Sequence, residues 1–346
     1  MIPLASDTET RPTAAMRAAM ADAEVGDEQK GQDPTVTRLL ERVCERLGKE
    51  AALFLPSGTM CNLVAIKAHT RPGDLVFVER NAHIARAEAG GAALAAGVQF
   101  EGLDGTDGRL DGATLVRGHA GTRWAPASHA PPASLLCLEQ THNYAGGTVW
   151  PLASLRAVAD TARELGLAVH VDGARLFNAG VAEGVPVADY AACADSVWVD
   201  FTKGLGAPLG AVLAGDAAFI AAARRYKHAF GGALRQAGIV AAGCLHALDH
   251  HVERLAEDHR RARDLADGLA ALPGVRVVNP APETNIVLFE VGALDPALFL
   301  GACASRGVGF SAVGARIRAV THLDVDDAAV ARAVEVTGEV VAERAG

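Results

Sequence analysis

Six short apolar runs separated by stretches of a different period constrain this chain more than any other feature. They are "AALFL" (51–55), "LVFV" (75–78), "SLLCLE" (134–139), "LAVHVD" (167–172), "SVWVDF" (196–201) and "LGAVLAG" (209–215). Helical patterns such as "LASLRAVADTARELG" stand between several of them. Short buried strands alternating with amphipathic helices predict an α/β fold, with a mostly parallel central sheet and helices on both faces.

The flanks read differently. The first thirty residues are polar and broken by Pro3, Pro12 and Gly26, as in an arm with a short helix. "DPTVTRLLERVCERLGKE" then starts a helix, with Asp33 as N-cap and Pro34 in the first turn. Its apolar stripe is Val36, Leu39, Leu40, Val43, Cys44 and Leu47. From about Gly232 a long helical stretch runs to about Leu272, then "VRVV", "TNIVLFEV", a helix, "RIRAV" and a last helix suggest a small C-terminal α+β domain. With 346 residues, a large domain over 1–245 and a small one over 246–346 are expected. "GTDGRLDGATLVRGHAGTRWAPASHAPPAS" (105–134) reads as the main loop-rich interruption.

Composition excludes some functions. A net charge of -9 provides no basic face for nucleic acid or an anionic membrane. No apolar run reaches membrane-spanning length, and "MIPLASDTETRP" lacks signal-peptide character, so a cytoplasmic protein is expected. The six cysteines are scattered without a C-x-x-C pair and read as buried free thiols. The histidines show no zinc-binding spacing; His246, His250 and His251 read as a polar helix face, and no metal is expected.

In an open parallel sheet, ligands bind at the carboxyl ends of the strands, and three features fall there. "AALFLPSGTMCN" is a strand, a turn and a helix start, where Ser57, Gly58 and Thr59 would form a phosphate cup. It lacks the G-K-[ST] of a P-loop, and no G-x-G-x-x-G follows a strand. "LAVHVDGARLFN" ends a strand on Asp172, and taken alone it reads as a structural pair with Arg175. "DSVWVDFTKGLGAPLG" delivers Lys203, one of five lysines, to a strand mouth where burial would favour a neutral, nucleophilic amine. Together, a cup for phosphate, a carboxylate for a pyridinium nitrogen and a lysine amine are the requirements of pyridoxal 5'-phosphate. The slim glycines after Lys203 then read as room for its flat ring.

Ordered blocks along nearly the whole chain carry a resemblance. They include "SDTETRPT", "GQDPTVTRLLERV", "LFLPSGTMCNLVAI", "HIARAEAGGAA", "EQTHNYAGGTVWPL", "HVDGARLFNA", "TKGLGAPLGAVLAG", "GGALRQAGIVAA" and "RIRAVTHLDV". The sequence resembles the threonine aldolase branch of the β-eliminating lyases, pyridoxal phosphate enzymes of the aspartate-aminotransferase fold type. The resemblance implies that Lys203 carries the cofactor, Asp172 meets its ring nitrogen, and Gly58 and Thr59 hold its phosphate. Arg235, from this chain or a neighbouring subunit, would assist them, and His83 would stack on the ring. Ser6, Arg175 and Arg318 match positions that grip the substrate carboxylate, with Arg175 also beside the cofactor and Arg316 the rival to Arg318. His142 matches a histidine near the substrate hydroxyl, and the candidate bases are His83, His142 or a bound water assisted by either.

The implied reaction splits L-threonine, L-allo-threonine and related β-hydroxy-α-amino acids into glycine and an aldehyde, in dimers or tetramers with shared sites. Its alternatives are β-elimination, transaldolation or transamination on the same cofactor. The chain departs from the family pattern at Lys30, where relatives carry a tyrosine facing a partner's site. It departs again at "DFT" before Lys203, with Asp200 expected on the opposite face.

Overall fold

The computed structural model describes residues 1–122, 126 and 128–345. Among these described residues, thirteen strands form three sheets. In chain order they are β1 (Ile2–Pro3), β2 (Ala51–Leu55), β3 (Leu75–Glu79), β4 (Gln99–Leu103), β5 (Ala133–Glu139), β6 (Ala168–Gly173), β7 (Ser196–Asp200) and β8 (Ala211–Gly215). The remainder are β9 (Arg276–Val277), β10 (Ile286–Glu290), β11 (Val308–Gly309), β12 (Ser311–Val313) and β13 (Arg316–Val320).

The large sheet has the order β2-β8-β7-β6-β5-β3-β4. Only β8 runs against its neighbours, so β2, β3, β5, β6 and β7 all point their carboxyl ends the same way. All six predicted runs are strands. The seventh, β4, was missed because it is a partly exposed edge strand, "QFEGL", and carries no apolar run. Helix Pro34–Leu47 begins as expected, with the Asp33 carboxylate accepting from the N–H groups of Thr35 and Val36. Val36, Leu39, Val43 and Leu47 of its stripe are buried. All six cysteines are free, and all but Cys44 are buried.

Three local readings change. Residues 112–121 within the supposed loop are a helix, started by the Asp111 carboxylate on Thr114 N–H. Its glycines hid it, and Gly118 answers to packing: a Cβ there would meet Leu103 Cδ2 at 2.4 Å. Residues 123–125 and 127 of that stretch lie outside the described residues. The long helical stretch is two helices, Gly238–His250 and Leu255–Ala270, and His251 at the break is buried with Nδ1 2.7 Å from the Leu205 carbonyl. It does not belong to a polar face.

The second sheet, β12-β13-β10-β9, is antiparallel. Phe289, Phe299, Phe310 and Ile317 share its core with Leu4 of the N-terminal arm. The arm is tied to this unit by β1, which pairs in parallel with β11. Immediately afterwards, at Ser6 and Asp7, it reaches the carboxyl edge of the large sheet.

Candidate active site

The strand register assembles the site. β5, β6 and β7 are aligned so that Glu139 pairs with Asp172, and Asp172 with Trp198. Paired residues in a parallel sheet share a face, so two carboxylates and an indole stand side by side. They line a cavity of about 390 Å³ with Ser6, Ser57, Gly58, Thr59, His83, Arg175, Lys203 and Arg318. Eight of the ten site residues named from sequence and resemblance (Lys203, His83, Gly58, Thr59, Asp172, Arg175, Ser6 and Arg318) thus converge on one cavity.

The cup is the first turn of helix Gly58–His69. Ser57 Oγ accepts from Met60 N–H, leaving the N–H groups of Gly58 and Thr59 without acceptors among the described residues. Glycine is required at 58: a Cβ would lie 2.1 Å from Trp198 Cη2.

Asp172 is 3 % exposed; its Oδ2 accepts from Asn62 Nδ2 at 2.8 Å and its Oδ1 from Ala174 N–H at 3.1 Å. Burial and the nearby Glu139 raise its carboxyl to about 6, against the pull of Lys203. It is not the partner of Arg175, which corrects the pairing read from "HVDGAR". Arg175 instead forks onto Asp7 of the arm.

The strand before Lys203 stops at Asp200. A tight turn follows, in which Asp200 Oδ1 accepts from Thr202 N–H and Oγ1. Lys203 Nζ lies 3.0 Å from Asp200 Oδ2 and 5.5 Å from the centre of the Trp198 ring. Asp200 therefore faces the site, because it alternates with Val199 onto the side of Trp198; the opposite face was expected. The amine is met by a salt bridge that the sequence reading did not include. The glycines beyond it answer to local geometry: Gly206 and Gly210 have φ of 75° and 129°, and a Cβ on Gly204 would meet Leu255 Cδ2 at 2.9 Å.

His83 opens the short helix His83–Arg86, its N–H donating to Glu139 Oε2 at 2.7 Å and its Nδ1 lying 3.0 Å from Glu88 Oε1. The Glu88 hydrogen bond raises the imidazole's pKa against the effect of burial. Tyr144 stacks nearly parallel to it, with centroids 6.5 Å apart. Arg318 donates through Nε to Ser311 Oγ, through Nη1 to Asn143 Oδ1 and through Nη2 to the Ala5 carbonyl. Arg316 shares its face of β13 but is half-exposed beside Glu290, so of these two it is Arg318 that lines the cavity.

Two assignments do not reach this cavity. His142 is 1 % exposed, with Nε2 2.9 Å from Glu79 Oε2 and Nδ1 accepting from Ala145 N–H. With both nitrogens engaged and a tight fit against Gly108, it braces the loop after β5 and is not among the residues that line the cavity. Arg235 is exposed and pairs with Asp27, and Lys30 is exposed near the same aspartate.

Sequence reasoning also missed residues. Glu139 ends a core strand just as Asp172 does, and that signal was legible. Its two oxygens anchor the backbone N–H groups of His83 and Asn143. Asp7, Asn62 and Glu88 lie in polar or helical stretches that carry no such signal.

The donor set fits pyridoxal phosphate. Unpaired helix N–H groups and hydroxyls suit the phosphate, a buried carboxylate among like charges suits a protonated ring nitrogen, and an amine stands at the strand mouth.

Comparison with known proteins agrees. A family model described as beta-eliminating lyase matches residues 3–292. A low-specificity L-threonine aldolase of Escherichia coli K12 is 41 % identical over 326 residues, covering 94 % of this chain and 95 % of its own. Low-specificity L-threonine aldolase 1 of Arabidopsis thaliana is 41 % identical over 295 residues, covering 84 % and 81 %. The solved threonine aldolase of Leishmania major superimposes with a TM-score of 0.83 at 22 % identity, covering 97 % and 98 %, which shows a common fold.

Proposed function

The chain belongs to the beta-eliminating lyase family, and on that premise we propose that it is a pyridoxal phosphate-dependent carbon–carbon lyase. It cleaves L-threonine, L-allo-threonine and related β-hydroxy-α-amino acids to glycine and an aldehyde. One observation carries this reading: a single cavity gathers Lys203, Asp172, the Gly58–Thr59 cup and Arg318.

Gly58 and Thr59 hold the phosphate, Asp172 holds the ring nitrogen in its protonated form, and Lys203 supplies the anchoring amine. When bound, pyridoxal phosphate supplies an electron sink for the pair left on Cα as the Cα–Cβ bond breaks. Arg318 binds the amino-acid carboxylate, since its donors are held only by neutral oxygens of Asn143, Ser311 and Ala5. Ser6 stands beside it at the arm, where its Oγ accepts from Thr8. His83 is the base for the β-hydroxyl proton: Glu88 fixes its Nδ1, which leaves Nε2 for the substrate.

Arg235 and Lys30 are read as facing the site of a neighbouring subunit, in a homodimer or homotetramer. The exposure of Arg235 and of nearby Ile239 supports this; light scattering on the purified protein tests it. The activity is tested by supplying threonine and allo-threonine and assaying the aldehyde. A visible cofactor band without aldehyde release would assign the chain another reaction of the same cofactor.

A further inference from the structure

Asn62 lies one turn beyond the cup on helix Gly58–His69 and is fully buried. Its side chain makes four polar contacts. Nδ2 donates to Asp172 Oδ2 at 2.8 Å and to Glu88 Oε1 at 2.7 Å. Oδ1 accepts from Trp198 Nε1 at 2.7 Å and faces His170 Nε2 at 3.1 Å. An indole N–H can only donate, so the oxygen must face Trp198 and the NH₂ must face the two carboxylates.

That orientation fixes a row of protons behind it. His170 Nε2 must carry a hydrogen to donate to Asn62 Oδ1. Its Nδ1, 2.8 Å from Ser196 Oγ, then accepts from the Ser196 hydroxyl. Ser196 Oγ in turn accepts from His69 Nε2 at 2.7 Å. Both imidazoles are neutral in this arrangement, as their burial favours. Every donor in the row points toward Asp172 and Glu88.

Building on the cofactor reading above, we infer that Asn62 is a positioning residue for pyridoxal phosphate. It ties the carboxylate assigned to the ring nitrogen to the carboxylate that orients His83; Trp198 fixes the direction of its amide, and His170, Ser196 and His69 back its oxygen. Asp172, which would hold the ring nitrogen, and Glu88, which holds His83 Nδ1, are thereby kept at a fixed distance from each other by one side chain. An amide with two N–H donors bridges two carboxylates without neutralising either, which a lysine or arginine in that place would do. The charged and titratable groups around it are Asp172 and His170 on β6, Glu139 and Cys137 on β5, Asp200 at the end of β7, Cys61 and His69 on its own helix, and His83, Glu88 and Lys203 on the connecting segments.

The test is made on the holoenzyme. Asn62→Asp keeps the shape and an oxygen for Trp198 and His170 but removes the paired donor. Ser196→Ala interrupts only the row behind. Pyridoxal phosphate affinity is measured by equilibrium titration, and the visible band is followed against pH. Asn62→Asp is expected to weaken pyridoxal phosphate by about tenfold or more and to move the pH midpoint of the band. Ser196→Ala moves both in the same direction by less, and it decides the matter if Asn62→Asp does not fold. An affinity within about twofold of the parent and an unshifted band, in whichever variant folds, overturn the inference. If the parent shows a visible band that Lys203→Ala abolishes, the cofactor reading survives that failure. If the parent shows no band, both fall.

Discussion

Arg175 gives its guanidinium fork to Asp7, Nε to Oδ2 and Nη2 to Oδ1, each at 2.8 Å. A residue expected to grip a substrate carboxylate therefore already holds one from its own chain. Asp7 also accepts from Asn285 Nδ2, so the arm, the large sheet and the segment before β10 meet at one buried charge pair. Arg318, the other arginine of the cavity, meets only the neutral oxygens of Ser311, Asn143 and Ala5.

The two arginines therefore separate in their effects. Asp7→Ala leaves a buried guanidinium without its partner and is expected to cost about 3–5 kcal/mol in denaturant unfolding. Arg318→Lys leaves stability nearly unchanged but loses the planar fork, and KM for threonine rises by about tenfold or more. Equal KM effects from both, with stability retained, would count against this division. Asp7 has its own pH signature: burial pushes its carboxyl up, but Arg175 overrides this and holds it well below the usual range. Its contribution is complete above about pH 4 and is lost as the pH falls below that.

Buried imidazoles set the acid limb of stability in a second way. Burial lowers His69 to about 4 and His170 to about 3. A lowered folded-state pKa means stability that is complete above about pH 6.5 and is lost as pH falls towards the folded value. His69→Gln is therefore expected to show a shallower loss than the parent, by roughly 3 kcal/mol between pH 7 and 4, in urea titrations at several pH values. His83 and His142, whose pKa values are raised, act oppositely but are common to both proteins. Parallel acid limbs would show that His69 is not held neutral.

Gly58 offers a test of the cup. The alanine Cβ would lie 2.1 Å from Trp198, an overpacking worth about 1–3 kcal/mol. Gly58→Ala is expected to weaken pyridoxal phosphate by roughly tenfold. Unchanged binding in the variant would show that the helix start is not pressed against the indole.

How much of this was legible in the sequence follows from where each signal lives. Strand runs, the Asp33 cap and the residues Ser57–Thr59, Asp172 and Lys203 are local: a short window shows the period and the residue at its end. Glu139 was equally local and was overlooked. The partners of Arg175 and Lys203 were not legible in the same way. Asp7 reaches Arg175 only because β1 anchors the arm to β11, and Lys203 meets Asp200 only because the turn after β7 folds the lysine back onto the strand end. His142 shows the reverse hazard: a matched motif places a residue in the right loop without saying which way its ring points.

The central claim is that Lys203 anchors pyridoxal phosphate in a cavity built for aldol cleavage. Its most direct test is the absorbance spectrum of purified parent and Lys203→Ala proteins, followed in the same cuvette by an aldehyde assay with L-threonine and L-allo-threonine. A visible band and aldehyde release are expected in the parent, and the loss of both in the variant. A variant that keeps the band and the activity, or a parent with neither after addition of pyridoxal phosphate, would contradict it.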